Sequence, residues 1–236
     1  MKATQNILAD TSSLIDAAAE QFVSTARSAI AKRGVFHVAL AGGSTPKGLY
    51  QKLATSPYVE QIDWTRVHLF FGDERCVLPS HDESNFKMAR EAMIDHVPIP
   101  QANVHRMPTE EGVAPEVAIR YCRIMKAILQ EQPLDLVLLG LGPDGHIASL
   151  FPDTAALEAT TMTTSLYVEK FQSWRVTMTY STINAARQVI VFIAGEAKAD
   201  IVHDITTDAV QGLPVQRLAP KGEYYWFMDK AAAGQQ

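Results

Sequence analysis

The stretch Val35-Phe36-His37-Val38-Ala39-Leu40, running on into Ala41-Gly42-Gly43-Ser44-Thr45-Pro46, reads as a strand that ends in a turn and feeds a helix. A short apolar run with little polar alternation is the pattern of a strand covered on both faces, as in parallel sheets. Two glycines free the backbone to turn, and a proline is tolerated in the first turn of a helix. The next helix is therefore expected over residues 47–54.

The same grammar extends outward in both directions. Upstream, Leu14, Ala18, Phe22, Ala26 and Ile30 recur every four positions, with possible caps at Thr11 to Ser13 and a stop at Gly34. That spacing predicts an amphipathic helix of about five turns. Downstream, strands are expected at 67–71, 134–139, 176–180, 189–193 and 224–228, and helices at 84–95, 116–129, 181–187 and 196–206. Strands alternating with helices imply right-handed βαβ units. The expected fold is α/β: an open, mostly parallel Rossmann-like sheet with helices on both faces. No linker, repeat or change of composition divides the chain, so one domain over residues 1–236 is expected. Residues 153–173, rich in threonine, read as a loop or an excursion over the sheet.

Composition narrows the function. The chain is 47% apolar and 20% charged, with a net charge of −5, an ordinary globular profile without the basic clustering of a nucleic-acid binder. An anionic ligand therefore needs a local basic pocket. Cys76 and Cys122 lack metal or redox spacing and read as reduced thiols. The N-terminal residues lack signal-peptide character and no apolar run is long enough to span a membrane, so a cytoplasmic protein is expected. Nucleic-acid and membrane partners are not expected.

Open α/β sheets bind ligands beyond the carboxyl ends of their strands, and four segments fall there. Gly42, Gly43 and Ser44 form a turn before a helix N-terminus, an arrangement suited to phosphate; it is not a Walker A loop. Gly72-Asp73-Glu74-Arg75 follows an apolar strand, and three consecutive charges there are expected outside the core. They form either a solvated turn or a pocket wall in which Arg75 meets an anion. Gly140-Leu141-Gly142-Pro143-Asp144-Gly145-His146 matches GxGxxG, but Pro152 interrupts any following helix and Glu158 follows no strand, so the dinucleotide reading is rejected. What remains is Asp144 two residues before His146 on a glycine-rich turn, the makings of a general base oriented by a carboxylate. Arg175 and Lys198 are surface charges if taken singly and part of an anion cradle if they converge. Ser44 and Ser149 lack a nucleophile elbow. His37 and His68 fall inside apolar strands and read as core residues, and no histidine shows metal-ligand spacing, so neither metal nor cofactor is expected.

At these residues the chain resembles the 6-phosphogluconolactonase family. AGGSTP (41–46), FFGDER (70–75) with ESNF (83–86), LGLGPDGHIASLFP (139–152), and RVTM (175–178) with GEAKA (195–199) stand in that family's order. The related glucosamine-6-phosphate deaminases share the Asp-Gly-His segment but continue Phe-Asn-Glu-Pro. Here Ala148-Ser149-Leu150-Phe151-Pro152 follows, without that carboxylate. The resemblance implies hydrolysis of 6-phospho-D-glucono-1,5-lactone. It implies His146 as base toward water, Asp144 as its partner, and Gly43, Ser44, Arg175 and Lys198 around the phosphate, with Arg75 nearby. Gly42 and Asp73 complete the expected substrate-binding set. The expected state is a monomer or small homo-oligomer. A deaminase-like isomerase using Asp73 as a carbon base is the alternative reading; a non-catalytic sugar-phosphate sensor is the third.

Overall fold

The computed structural model describes residues 3–235. In chain order the elements are β1 (Thr4–Leu8), α1 (Thr11–Arg33), β2 (Phe36–Leu40), α2 (Ser44–Leu53), β3 (Val67–Phe71), β4 (Asp73–Arg75), α3 (Asn85–Ala92), α4 (Ala114–Leu129), β5 (Leu136–Gly140), β6 (Thr163–Val168), β7 (Ser173–Met178), α5 (Tyr180–Ala185), β8 (Gln188–Ile193), α6 (Ala199–Thr206) and β9 (Glu223–Asp229). Short 3-10 turns lie between several of them.

The expected helix boundaries have local causes. The Asp10 carboxylate accepts the Ser13 N–H to cap α1, and Gly34, left-handed at φ 77°, returns its N–H to the Ile30 carbonyl to end it. Leu14, Ala18, Phe22, Ala26 and Ala29 all point into the core. In α3 the Ser84 hydroxyl caps the Lys87 N–H.

Six strands pair in the order β1-β9-β8-β5-β2-β3, and every pairing among them is parallel. All residues of β2 and β8 are buried, the condition their apolar runs imply. The open parallel α/β sheet is thus as expected. From β2 the chain moves by way of α2 to β3 on one side. β5, β8 and β9 continue on the other. The winding direction reverses between β2 and β5. The turns after these two strands, at Gly42 and at Gly140, therefore flank a crevice at the switch point.

The sequence reading falls short in two places. β1 is an edge strand whose side chains are mostly exposed, so it carries no apolar run. The expected parallel strand at 176–180 instead belongs to a separate three-stranded sheet, β4-β7-β6, with antiparallel pairings. Its hairpin turns at Gln172, left-handed at φ 46°, and the threonine-rich excursion supplies its third strand, β6. The two sheets are stitched at Gly72: its N–H donates to the Leu40 carbonyl, and its carbonyl accepts the Met178 N–H. The small sheet thereby projects beyond the carboxyl ends of the large one, beside the crevice.

Candidate active site

The crevice is a cavity of about 290 Å³, walled by residues that follow β2, β3, β5 and β8. Gly42, Gly43, Ser44, Asp73, Arg75, His146 and Lys198 of the expected set all line it.

Its floor is the turn after β2. The buried Tyr50 hydroxyl pins that turn, donating to the Ala41 carbonyl and accepting the Ala41 N–H, each at 2.8 Å. A Cβ on Gly42 would fall 2.1 Å from the Asn85 amide oxygen, so only glycine fits. Gly43 adopts φ 105° and starts α2 with no side-chain cap, which leaves the first-turn N–H groups facing the cavity for an anion.

The wall after β3 corrects the sequence reading. Asp73 and Glu74 are buried, not solvated. They lie outside the hydrophobic core proper, and each carboxylate accepts hydrogen bonds on both oxygens. Asp73 accepts the Asn85 amide at 3.2 Å on one oxygen and the Ser149 hydroxyl at 2.6 Å on the other. Glu74, 2% exposed, accepts the Arg75, Asn85 and Phe86 N–H groups at 2.8 Å each and the Ser84 hydroxyl at 3.0 Å. Burial raises its carboxyl above the usual range, and those hydrogen bonds oppose the rise. Glu74 thus caps the start of α3 and fixes Asn85, a wall residue that sequence spacing alone does not flag.

Arg75 stands opposite Arg175 across the β4–β7 ladder. Arg175 is 8% exposed, and the buried Nε of each arginine lacks a hydrogen-bond partner. Burial, and then the charge of Arg75, pushes the Arg175 guanidinium below an ordinary arginine. Two close cations with free donors suit an anion. Arg175 itself is not in the cavity wall; its guanidinium lies 5.4 Å over the Phe171 ring.

The turn after β5 carries Asp144 and His146. His146 Nδ1 meets Asp144 Oδ1 at 2.5 Å. A carboxylate there takes the Nδ1–H, which leaves Nε2 as the nitrogen able to accept a proton. Burial opposes the charge on Asp144, but the hydrogen bonds and charge of His146 outweigh it and hold the carboxyl below its usual range. The turn is tight: Gly142 N–H donates to the His146 carbonyl at 2.8 Å, and a Cβ on Gly142 would strike the imidazole at 2.0 Å. Gly145 has φ 74°. Of the glycines that imitate a dinucleotide motif, Gly142 makes room for the imidazole and Gly145 makes the left-handed turn before it. Phe151 stacks on the His146 ring with centroids 4.2 Å apart. Asp144 is not itself in the cavity wall.

Lys198 enters from the turn after β8. Burial lowers the ammonium below an ordinary lysine, against the pull of Asp144. Asp229, buried at the end of β9, anchors that turn by accepting the Gly195 N–H at 3.0 Å, together with the Thr11 hydroxyl at 2.7 Å. Asn85, Ser149, Phe151 and Asp229 are absent from the sequence-derived site set. Of these, Asn85, Ser149 and Phe151 stand inside the quoted motifs, while Asp229 carries no local signal.

Glycine turns, an uncapped helix start, loosely paired cations and an oriented imidazole at a switch point define an α/β enzyme for a small anionic substrate. The sequence matches the family described as glucosamine-6-phosphate isomerases/6-phosphogluconolactonase over residues 9–226. A Nostoc protein named 6-phosphogluconolactonase is 37% identical, covering 100% of this chain and 99% of its own. The 6-phosphogluconolactonase structure from Thermotoga maritima is 30% identical, covers 97% of this chain and 100% of its own, and superposes with a TM-score of 0.86. A monomeric glucosamine-6-phosphate deaminase, 20% identical and covering 100% of both chains, has a TM-score of 0.83 and shares the fold. The chain belongs to the glucosamine-6-phosphate isomerase/6-phosphogluconolactonase family. Among the described residues no helix is long and apolar enough to cross a membrane.

Proposed function

We propose that the chain hydrolyses 6-phospho-D-glucono-1,5-lactone to 6-phosphogluconate in the oxidative pentose phosphate pathway, with His146 as the base. The observation that carries the mechanism is the 2.5 Å contact of Asp144 with a His146 ring that lines the cavity and keeps Nε2 free of that carboxylate. Nε2 takes a proton from water as the water oxygen bonds to C1. Asp144 holds the ring and stabilises the imidazolium. The carbonyl electron pair moves onto oxygen, where Lys198 or a backbone N–H of the Gly43–Ser44 turn meets it; one such donor is worth about 3 kcal/mol. As the tetrahedral centre collapses, the bond from C1 to the ring oxygen breaks and His146 returns its proton to that oxygen. The 6-phosphate anchors the substrate among Gly42, Gly43, Ser44, Arg75 and Lys198, with Arg175 adding positive charge from behind the wall, so binding energy remote from C1 positions the carbonyl.

Asp73 supports this reading over carbon-proton abstraction. Both of its carboxylate oxygens already accept hydrogen bonds, from Asn85 and Ser149, and it serves as a wall rather than a free base. We propose that the protein acts in the cytoplasm as one 1–236 domain, monomeric or in a small homo-oligomer. The test is the rate of acid release from freshly generated lactone, with and without the 6-phosphate. Strong preference for the phosphorylated lactone is expected. Ammonia release from glucosamine 6-phosphate instead would move the protein to the deaminase side of its family.

A further inference from the structure

The tip of the β6–β7 hairpin reaches back over the site. Two consecutive residues of the tip touch the reactive turn and its surroundings. Lys170 Nζ lies 3.8 Å from Asp144 Oδ2. The Phe171 ring meets the edge of Phe151, with centroids 6.0 Å apart. Phe151 is the ring stacked on His146, at 4.2 Å and 30°. Phe171 also carries the Arg175 guanidinium at 5.4 Å and the Lys170 ammonium at 5.6 Å. An unbroken contact chain therefore runs His146, Phe151, Phe171, Arg175.

The exposure of Phe171 makes this placement informative. The ring is 48% exposed, so it is not held at the tip by burial in the core. What holds it is Phe151, the buried Arg175 guanidinium and the Lys170 ammonium, contacts that aromatic rings satisfy through edge-to-face packing and cation–π attraction. Arg175 in turn lacks a hydrogen-bond partner at Nε, so the ring is a large part of what orients it. We propose that Phe171 is a positioning residue: it seats Phe151 against the imidazole and holds Arg175 behind the cavity wall opposite Arg75, and so ties the base to the positive charge of the anion cradle. The rate consequence rests on the lactonase reading; the packing consequence does not.

The experiment compares Phe171→Ala and Phe171→Tyr with Tyr167→Ala, a change at another exposed aromatic of the same hairpin. Misplacement of reacting groups by a fraction of an ångström to one ångström costs on the order of 10- to 100-fold. Phe171→Ala is expected to lower kcat about tenfold and raise KM severalfold, at a Tm close to that of the parent protein. Phe171→Tyr restores both, and Tyr167→Ala changes neither. The second readout is independent of turnover. The ring-current shift of the His146 Cε1 proton, assigned by its disappearance in His146→Asn, moves toward the unstacked value in Phe171→Ala and returns in Phe171→Tyr. A kcat within twofold of the parent, an unmoved His146 signal, or equal damage from Tyr167→Ala overturns the proposal. Absence of lactonase activity in the parent protein would overturn the functional reading and leave the proton signal to decide on Phe171.

Discussion

The two ends of the parallel sheet hold the same residue types in opposite employment. At the carboxyl ends, Asp144 gives a carboxylate oxygen to the His146 ring, and the ring faces a cavity. Near the amino ends, Asp135 is 2% exposed and lies beside His37, yet it accepts that residue's backbone N–H at 2.9 Å rather than the ring. Its charge is met by Arg33 at 2.6 Å and Arg187 at 3.3 Å. His68 and His105 join ring to ring, with Nδ1 and Nε2 3.0 Å apart, and His37 lies edge-on to His68. An acid beside a histidine is thus no signature of catalysis. The commitment of the carboxylate to the ring, and of the ring to a cavity, makes the difference.

The largest test of that contrast is removal of the proposed base. His146→Ala is expected to lower kcat/KM about 10³-fold, within the range for general base catalysis, while the midpoint of denaturant unfolding stays near that of the parent protein. His37→Ala should do the reverse, costing stability and leaving kcat within a few fold. Parallel lactonase assays and urea titrations of both variants check the pair; a His37 variant as slow as the His146 variant would erase the distinction.

Next in size is the amino-end carboxylate. Asp135→Ala strands two arginines and leaves the buried His37 N–H unpaired, an expected loss of about 2–3 kcal/mol. Arg33 and Arg187 are partly exposed, which keeps the cost below that of a fully buried pair. The measurement is the urea midpoint at constant m-value. A change under about 0.5 kcal/mol, the ordinary surface level, would show that Asp135 only decorates that end.

The histidine row gives a smaller, pH-dependent effect. Burial, and then the neighbouring His68 and His37, pushes His105 down to about 4. His37 is lowered by burial despite the pull of Asp135, with His68 and Arg33 adding to the fall, and burial lowers His68. Below an unfolded value near 6.5 the unfolded chain binds protons that the folded one refuses. Stability is therefore full above about pH 6.5, declines as pH falls, and levels off once His105 protonates in the folded state near 4. For a half-buried ring the discounted size is about 1 kcal/mol. In His105→Asn the unfolding midpoint should fall less steeply across that window; an unchanged slope would rule the row out as its source.

The legibility of the molecule follows the same division between ends and layers. β3 occupies the expected residues 67–71, because both faces of that strand are apolar and a glycine closes it. The switch-point turns were readable for the related reason that glycines and charges cluster where strands stop. β1 was not, since an edge strand with exposed side chains needs no periodic pattern. Nor was the β4-β7-β6 sheet, in which the β6–β7 hairpin pairs with a short strand, β4, about 100 residues upstream of β7. Asp73 and Glu74 looked too polar to bury because their donors, Asn85, Ser149 and the α3 N–H groups, come from elsewhere in the chain. Arg175 was readable as a cation but not as a residue standing behind the wall on Phe171.

The finest discrimination between the two ends concerns the cations. Arg33 and Arg187 already hold a carboxylate, whereas Lys198 faces the cavity, its ammonium lowered by burial. A lysine with a depressed value loses its charge earlier as pH rises, so a phosphate that depends on it binds less tightly at moderately alkaline pH. A bound dianion pulls the other way and restores the proton, so the effect falls on kcat/KM, which reports the free enzyme, more than on kcat, and shows as a rise in KM. The expected rise in KM between pH 8 and pH 10 is about three- to tenfold, the scale of one charge contact. Lys198→Arg, which keeps its charge across that range, should flatten the rise even if its absolute KM is worse. If KM climbs as steeply in Lys198→Arg, the titrating cation is not Lys198, and the anion must lean on the turn at Gly43 and on the arginine pair instead.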